Sequence, residues 1–314
     1  VTPPPLGTSI LAGTGAAARE AWLLPVSALL SFLRTAATVP AFAIAGYLPV
    51  EGALRAARRS PLTLTAGIDG ALAVLGSGRY QALVGGLLIV GVVTAGLLRV
   101  LFLAGALPTL GASLARGDGS RRFAPGVAWG FPRQLATWLL SALADAAAGG
   151  FLVAGTAGAL LVICGQGRHP VLAAGLGAAV LSIGLAGVLV ARVVGDVAAA
   201  RCAILGEGAA RAFAGATRRL LARPGGFALG GIAAVAAGVA ATAALQPAAA
   251  ALGVVSGRLH GPALLGPQLM LGMFAVLAAA AVDLAWLGTA AALACGDLDA
   301  RGEPPSPSAL QPPP

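Results

Sequence analysis

Read for charge alone, the chain is a series of long apolar runs separated by short polar punctuation. No Asp, Glu or Arg falls within Tyr80–Leu98, Val100–Ala115, Ala146–Gly167, His169–Ala191, Pro224–Gly257 or Leu259–Val282. A membrane-crossing helix needs about 20 mainly apolar residues, so these runs predict helices near 81–110, 130–163, 171–201, 226–252 and 264–294. Lipid offers backbone groups no hydrogen-bond partners, which leaves only helices or closed barrels. The runs lack the alternation of barrel strands, so an all-α fold is expected.

The N-terminal sixth is less regular. Thr35–Val50 is uncharged but carries Pro40 and Pro49. Residues 8–33 read as an amphipathic interfacial segment with Trp22 and Phe32 as anchors. A first crossing is expected over 35–54, with 55–79 outside as a surface helix. The alternative crossing, 62–78, contains Asp69 and four glycines. Either version gives six crossings and puts both termini on one side. The domain reading is a tail and interfacial segment over 1–34, a six-helix domain over 35–298, and a Pro-rich disordered tail over 299–314. The stretch Ala21–Leu33 is a poor leader because Pro25 and Ser27 weaken it and Arg34 interrupts it, so the N-terminus is expected to be retained.

Arginine placement sets the orientation. Segments 111–133 and 201–223 hold nine arginines: Arg116, Arg121, Arg122, Arg133, Arg201, Arg211, Arg218, Arg219 and Arg223. The opposite turns offer Arg168 and Arg258. The positive-inside rule then places the Arg-rich loops and both termini in the cytoplasm, although Arg55, Arg58 and Arg59 fall outside in that layout. A weak repeat matches it. Gly78-Arg79, Gly167-Arg168 and Gly257-Arg258 are each followed 39 residues later by Asp118, Glu207 or Asp297. Three helical hairpins of similar construction are expected.

Composition narrows the picture. Of 314 residues, 58% are hydrophobic and 10% charged, well below the charged share of a soluble domain. All 20 basic residues are Arg, with no Lys or Asn, a bias expected of a GC-rich bacterial genome; the inner membrane is the expected location. The net charge of +9 reads as orientation signal rather than a nucleic-acid footprint. Cys164, Cys202 and Cys295 stand alone, and His169 and His260 lack ligand spacing, so no metal or cofactor is expected. Nucleotide-binding, hydrolase and zinc-protease signatures are missing from the sequence, and a non-enzymatic role is expected.

Chemistry, if any, is expected at Arg99, Asp145, Arg192, Asp196 and Asp283, ionisable groups inside predicted spans that form one candidate polar layer. Buried charge in lipid is costly and usually purposeful. The competing reading is a structural ion-pair network with Arg192 snorkelling to the inner surface. A second candidate is the inner segment carrying Glu207, Arg211, Phe213, Arg218 and Arg219. It reads as a basic amphipathic helix on anionic lipid or a coupling helix for a cytoplasmic or membrane protein partner. As a coupling helix it falls short of the Glu-Ala-Ala…Gly loop of ATP-binding-cassette permeases, because Gly208 follows Glu207.

The sequence Gly206-Glu207-Gly208…Ala212-Phe213…Arg218-Arg219-Leu220 joins Leu97-Leu98-Arg99 and Gly105-Ala106-Leu107-Pro108 in a recognisable style. It is similar to a pattern in poorly characterised bacterial six-helix membrane proteins, among them the membrane domain attached to some glycerophosphodiester phosphodiesterases. The resemblance implies fold and membrane location, and transfers no catalytic residue. The functional expectation is a scaffold or accessory component of a membrane or envelope process. The alternative is a transporter or permease subunit moving an ion or small substrate past the Arg/Asp layer.

Overall fold

The computed structural model describes residues 6–58, 63–116, 122–165, 170–236, 239–240 and 265–301, and among these it is all helical, without a strand. Short α1 (Leu6–Arg19) is followed by α2 (Leu23–Ala57), α3 (Thr63–Leu75), α4 (Gly78–Arg116), α5 (Phe123–Gly165), α6 (Pro170–Leu205), α7 (Ala209–Ala222), α8 (Gly225–Ala236) and α9 (Leu265–Arg301). Within the described residues, four helices are long and apolar enough to cross a membrane: Leu23–Ala57, Gly78–Ala115, Gly175–Leu205 and Met270–Gly296. Residues 237–238 and 241–252 of the predicted span 226–252 lie outside the described residues, as do the tail 302–314 and both histidines.

Two boundaries differ from the sequence expectation. The interfacial segment expected over 8–33 is broken at Glu20–Trp22, and α2 then runs without interruption through 34–35. The turn is closed by Leu23 and Leu24 N–H groups donating to Glu20 and Ala21 carbonyls. Pro25 falls in the first turn of α2, where its missing N–H costs no helical bond. The alternative crossing at 62–78 forms only the 13 residues of α3, about 20 Å of helix at 1.5 Å per residue and too short for a bilayer core.

The chain divides into two units. In the unit formed by 25–99 and 239–279, α2 packs closely on its neighbours. A Cβ at Gly70 would lie 2.6 Å from the Gly52 carbonyl oxygen, and one at Gly91 would lie 2.8 Å from that of Ala37. Pro49 sits inside α2, so the Ala45 carbonyl four residues earlier loses its helical N–H donor. The Tyr80 hydroxyl donates to that oxygen at 3.0 Å. A break that would be expensive in lipid is thus satisfied from α4.

The other unit, 1–24, 100–238 and 280–314, holds the densest packing. Leu107, Leu110, Val193, Val197, Leu220 and Leu287 are among its fully buried side chains. Helices α5 and α6 run antiparallel, with Gly155 on Val180, Gly187 on Ala148, Gly195 on Ser141 and Gln134 bonded to Ala199. Pro108 in α4 leaves the Ala104 carbonyl without its helical donor, and Gly126 of α5 closes on that oxygen, where a Cβ would come within 2.6 Å. Such an approach allows a weak Cα–H···O contact. On the other side, α1 is no loose surface segment: Ser9, Gly13, Ala16 and Ala17 are buried, and Gly13 meets the α9 backbone at Gly288. Arg19 ends α1 by donating to the Ser113 hydroxyl and carbonyl at 3.3 Å, placing a cation at the C-terminal end of α4, where the helix dipole favours it.

Candidate functional site

The predicted polar layer has a common address along the helices. Arg99 lies 21 residues from the start of α4, Arg192 lies 22 from the start of α6, and Asp283 lies 18 from the start of α9. At 1.5 Å per residue these are roughly 27–33 Å, close to one hydrocarbon thickness of about 30 Å. The same positions mark a change in surface. Before them come exposed Ile89, Val90, Val92 and Val93 in α4, Leu181, Ile183 and Leu185 in α6, and Met273 and Phe274 in α9. After them come buried Phe102–Ala104, Val193–Ala200 and Leu284–Leu293, apart from half-buried Ala285. In these three helices the charges stand where lipid-type surface gives way to packed interior.

Asp196 is built into that interior. It is 8% exposed, and its Oδ2 accepts a 3.0 Å hydrogen bond from the Trp286 indole. Trp286 itself is wedged beside Gly230 of α8, where a Cβ would meet the ring at 2.8 Å. A carboxylate, an indole and a glycine therefore tie α6, α8 and α9 together. Asp283 lies three residues before Trp286, one helical turn away. Arg99 is buried at the end of the segment 25–99 of its own unit.

Asp145 differs from the other four. Its charged neighbours are Arg192 and Asp196, so α5 and α6 bring three of the five predicted residues together. Its Oδ1 is buried without a hydrogen-bond partner. Along α5, Leu139, Leu140 and Leu143 are exposed before it and Phe151 after it, so lipid-type surface lies on both sides of this charge.

Asp145 also ends a stripe that charge counting overlooks. Gln134, Thr137, Ser141 and Asp145 recur at spacings of three, four and four along α5, which places them on one helix face. Gln134 Nε2 donates to Ala199 O at 2.9 Å, buried Thr137 donates its hydroxyl to the Arg133 carbonyl at 3.0 Å, and Ser141 packs on Gly195. Neither this seam nor the Trp286 anchor was visible from ionisable groups alone. The spacing of the uncharged polar residues was the available signal. Cys202 is buried and Cys295 half-buried, and neither is in a disulfide; the side chain of Cys164 lies outside the described residues.

The second predicted segment resolves into a turn and a helix. Gly206 has φ of +66°, a conformation that penalises any Cβ, and it turns the chain so that Glu207 faces back onto α6. There Arg201 Nε and Nη2 donate to the two Glu207 carboxylate oxygens at 3.0 and 2.8 Å, a two-point pair with side chains 6% and 13% exposed. The guanidinium lies over Gly215 of α7, where a Cβ would come within 2.6–2.7 Å of it. Glu207 thus serves the α6–α7 joint. Ala212, Ala216 and Leu220 bury one face of α7, Phe213 and Arg219 are half-buried, and Arg211 and Arg218 point outward, both exposed. Burial, with Arg223 and Arg201 nearby, draws Arg219 down to about 10, so it still carries its charge at neutral pH.

Among the described residues, no cluster of three His, Cys, Asp or Glu is arranged to hold a metal ion. Comparison of the chain with protein-family models, with curated proteins and with solved structures gives no match.

Proposed function

We propose that this is a multi-pass protein of a bacterial inner membrane that serves as a non-enzymatic scaffold or accessory component of a membrane or envelope process. Six crossings, in three hairpins with both termini cytoplasmic, complete the proposal. In it, α4, α6 and α9 descend towards the cytoplasm while α2, α5 and the segment beginning with α8 ascend. The observation that carries it is the position of the charges on α4, α6 and α9. One core thickness from the outer helix ends, they sit at the inner boundary of the bilayer, and Asp196 is spent on holding Trp286. Charges used this way fix helix register and depth, which is what a rigid membrane platform requires.

A second reading, a transporter or permease subunit, is favoured by one residue. Asp145 has a buried, unpartnered oxygen beside Arg192 and Asp196, an arrangement that suits transient proton or cation binding. Flux through proteoliposomes separates the two. With a pH-sensitive dye inside and an imposed proton or sodium gradient, the scaffold reading expects dissipation equal to that of protein-free liposomes. Dissipation that the chain accelerates and Asp145→Asn abolishes would replace it with the transporter reading.

A further inference from the structure

We propose that α7 is an interfacial helix whose exposed arginines bind the phosphate headgroups of anionic phospholipids in the bilayer that holds the chain. The inference rests on the membrane reading but is independent of the choice between scaffold and transporter.

Connectivity confines α7 to a membrane surface. The candidate span of α6 ends at Leu205, and α7 starts at Ala209. The intervening 206–208 can reach only about 10 Å. At its other end α7 finishes at Ala222 and apolar α8 begins at Gly225. Helix α8 exposes Ile232 at 67% and Val235 at 49%, the surface of a helix meant for lipid. Bracketed in this way, α7 lies where headgroups are.

Its chemistry fits that position. Residues 209–222 include Arg211, Arg218 and Arg219 and no acid. The nearest carboxylate in sequence, Glu207, is turned onto Arg201. The apolar face of α7 is occupied by protein through Ala212, Ala216 and Leu220, while Arg211 and Arg218 are exposed and Leu221 is 71% exposed. An exposed leucine beside two exposed arginines would gain nothing from water. Against a bilayer, the leucine enters the acyl boundary and each arginine can grip a phosphate with two N–H groups. Charge near an anionic leaflet is worth about 1 kcal/mol per arginine, or roughly fivefold in partitioning for each one.

The test uses the full chain in nanodiscs, with thermal unfolding as the readout. Incorporation into neutral phosphatidylcholine checks the membrane reading by itself. Adding phosphatidylglycerol is expected to raise the unfolding temperature of the wild type, and inorganic phosphate added to neutral discs is expected to reproduce little of the rise. Arg211→Ala with Arg218→Ala should lose most of the phosphatidylglycerol effect, Arg211→Lys with Arg218→Lys should retain most of it, and Arg79→Ala, at an exposed site on α4, should leave it unchanged. Because lipid also acts through annular contacts, retained lipid is counted by native mass spectrometry, where the alanine pair should hold fewer phosphatidylglycerol molecules. An unfolding temperature indifferent to phosphatidylglycerol, or a response equal in wild type and alanine pair, overturns the proposal and leaves an acidic protein as the partner of this face.

Discussion

At the scale of single residues, the fold depends on groups that repair what the sequence breaks. Pro49 orphans the Ala45 carbonyl, and Tyr80 supplies the missing donor at 3.0 Å. Tyr80→Phe should therefore cost about 1 kcal/mol, the loss of a hydrogen bond to a half-buried acceptor that has no other donor in its helix. In a Pro49→Ala background the helix regains its own N–H, and the same Tyr80→Phe change should cost almost nothing. A double-mutant cycle by thermal unfolding in a neutral bilayer checks this; equal costs in both backgrounds would show that the hydroxyl does something else. Glycines divide in the same residue-by-residue way. Gly13 meets the Gly288 backbone, whereas a methyl added at Gly7 would have nothing within 4 Å. Gly13→Ala should cost about 1–3 kcal/mol through overpacking, while Gly7→Ala should be neutral or stabilising by up to about 1 kcal/mol. Both are read from the unfolding temperature.

At the scale of elements, the joint between α6 and α7 combines a positive-φ glycine, a buried two-point ion pair and a glycine under the guanidinium. Glu207→Gln removes the carboxylate that balances Arg201 beside Arg219 and Arg223, and should destabilise by roughly 3–5 kcal/mol. Replacing both partners, Arg201→Met with Glu207→Leu, should cost far less because no buried charge is stranded. Protease nicking near 206–208 offers a local readout alongside global unfolding. If the double variant is as damaged as the single, the pair contributes more than mutual neutralisation.

The helices themselves were legible because long charge-free runs admit few alternatives in lipid. Their interruptions were harder to place. A proline inside an apolar run gives the same local signal whether it breaks the helix or is rescued by a neighbour, so the continuity of α2 through Pro40 and Pro49 depends on tertiary contacts that no local window contains. The seam of Gln134, Thr137 and Ser141 was hidden for a different reason: uncharged polar residues barely disturb hydropathy, and only their shared helix face gives them away. The five charged positions, in contrast, stood out individually. Their collective meaning needed helix starts, because depth can be counted only from an end.

At the scale of the whole molecule, function turns on whether the charged residues line a route across the membrane or mark its inner boundary. The spacing of roughly 27–33 Å from the starts of α4, α6 and α9 and the switch from exposed to buried side chains favour the boundary. Asp145 provides the strictest case, since α5 exposes apolar side chains on both sides of it, Leu143 before and Phe151 after. The most direct measurement is sided labelling with a membrane-impermeant thiol reagent, in vesicles of known orientation and a variant lacking the native cysteines. Single cysteines at positions 99, 145 and 283 are compared with reporters at 79 and 211. A boundary predicts labelling at 79 from the outer side only and at 211 from the inner side only, with 99, 145 and 283 unreactive from outside. Labelling of position 145 from the outer side, at a rate approaching that of position 79, would contradict it and open a water-filled path through the charged layer.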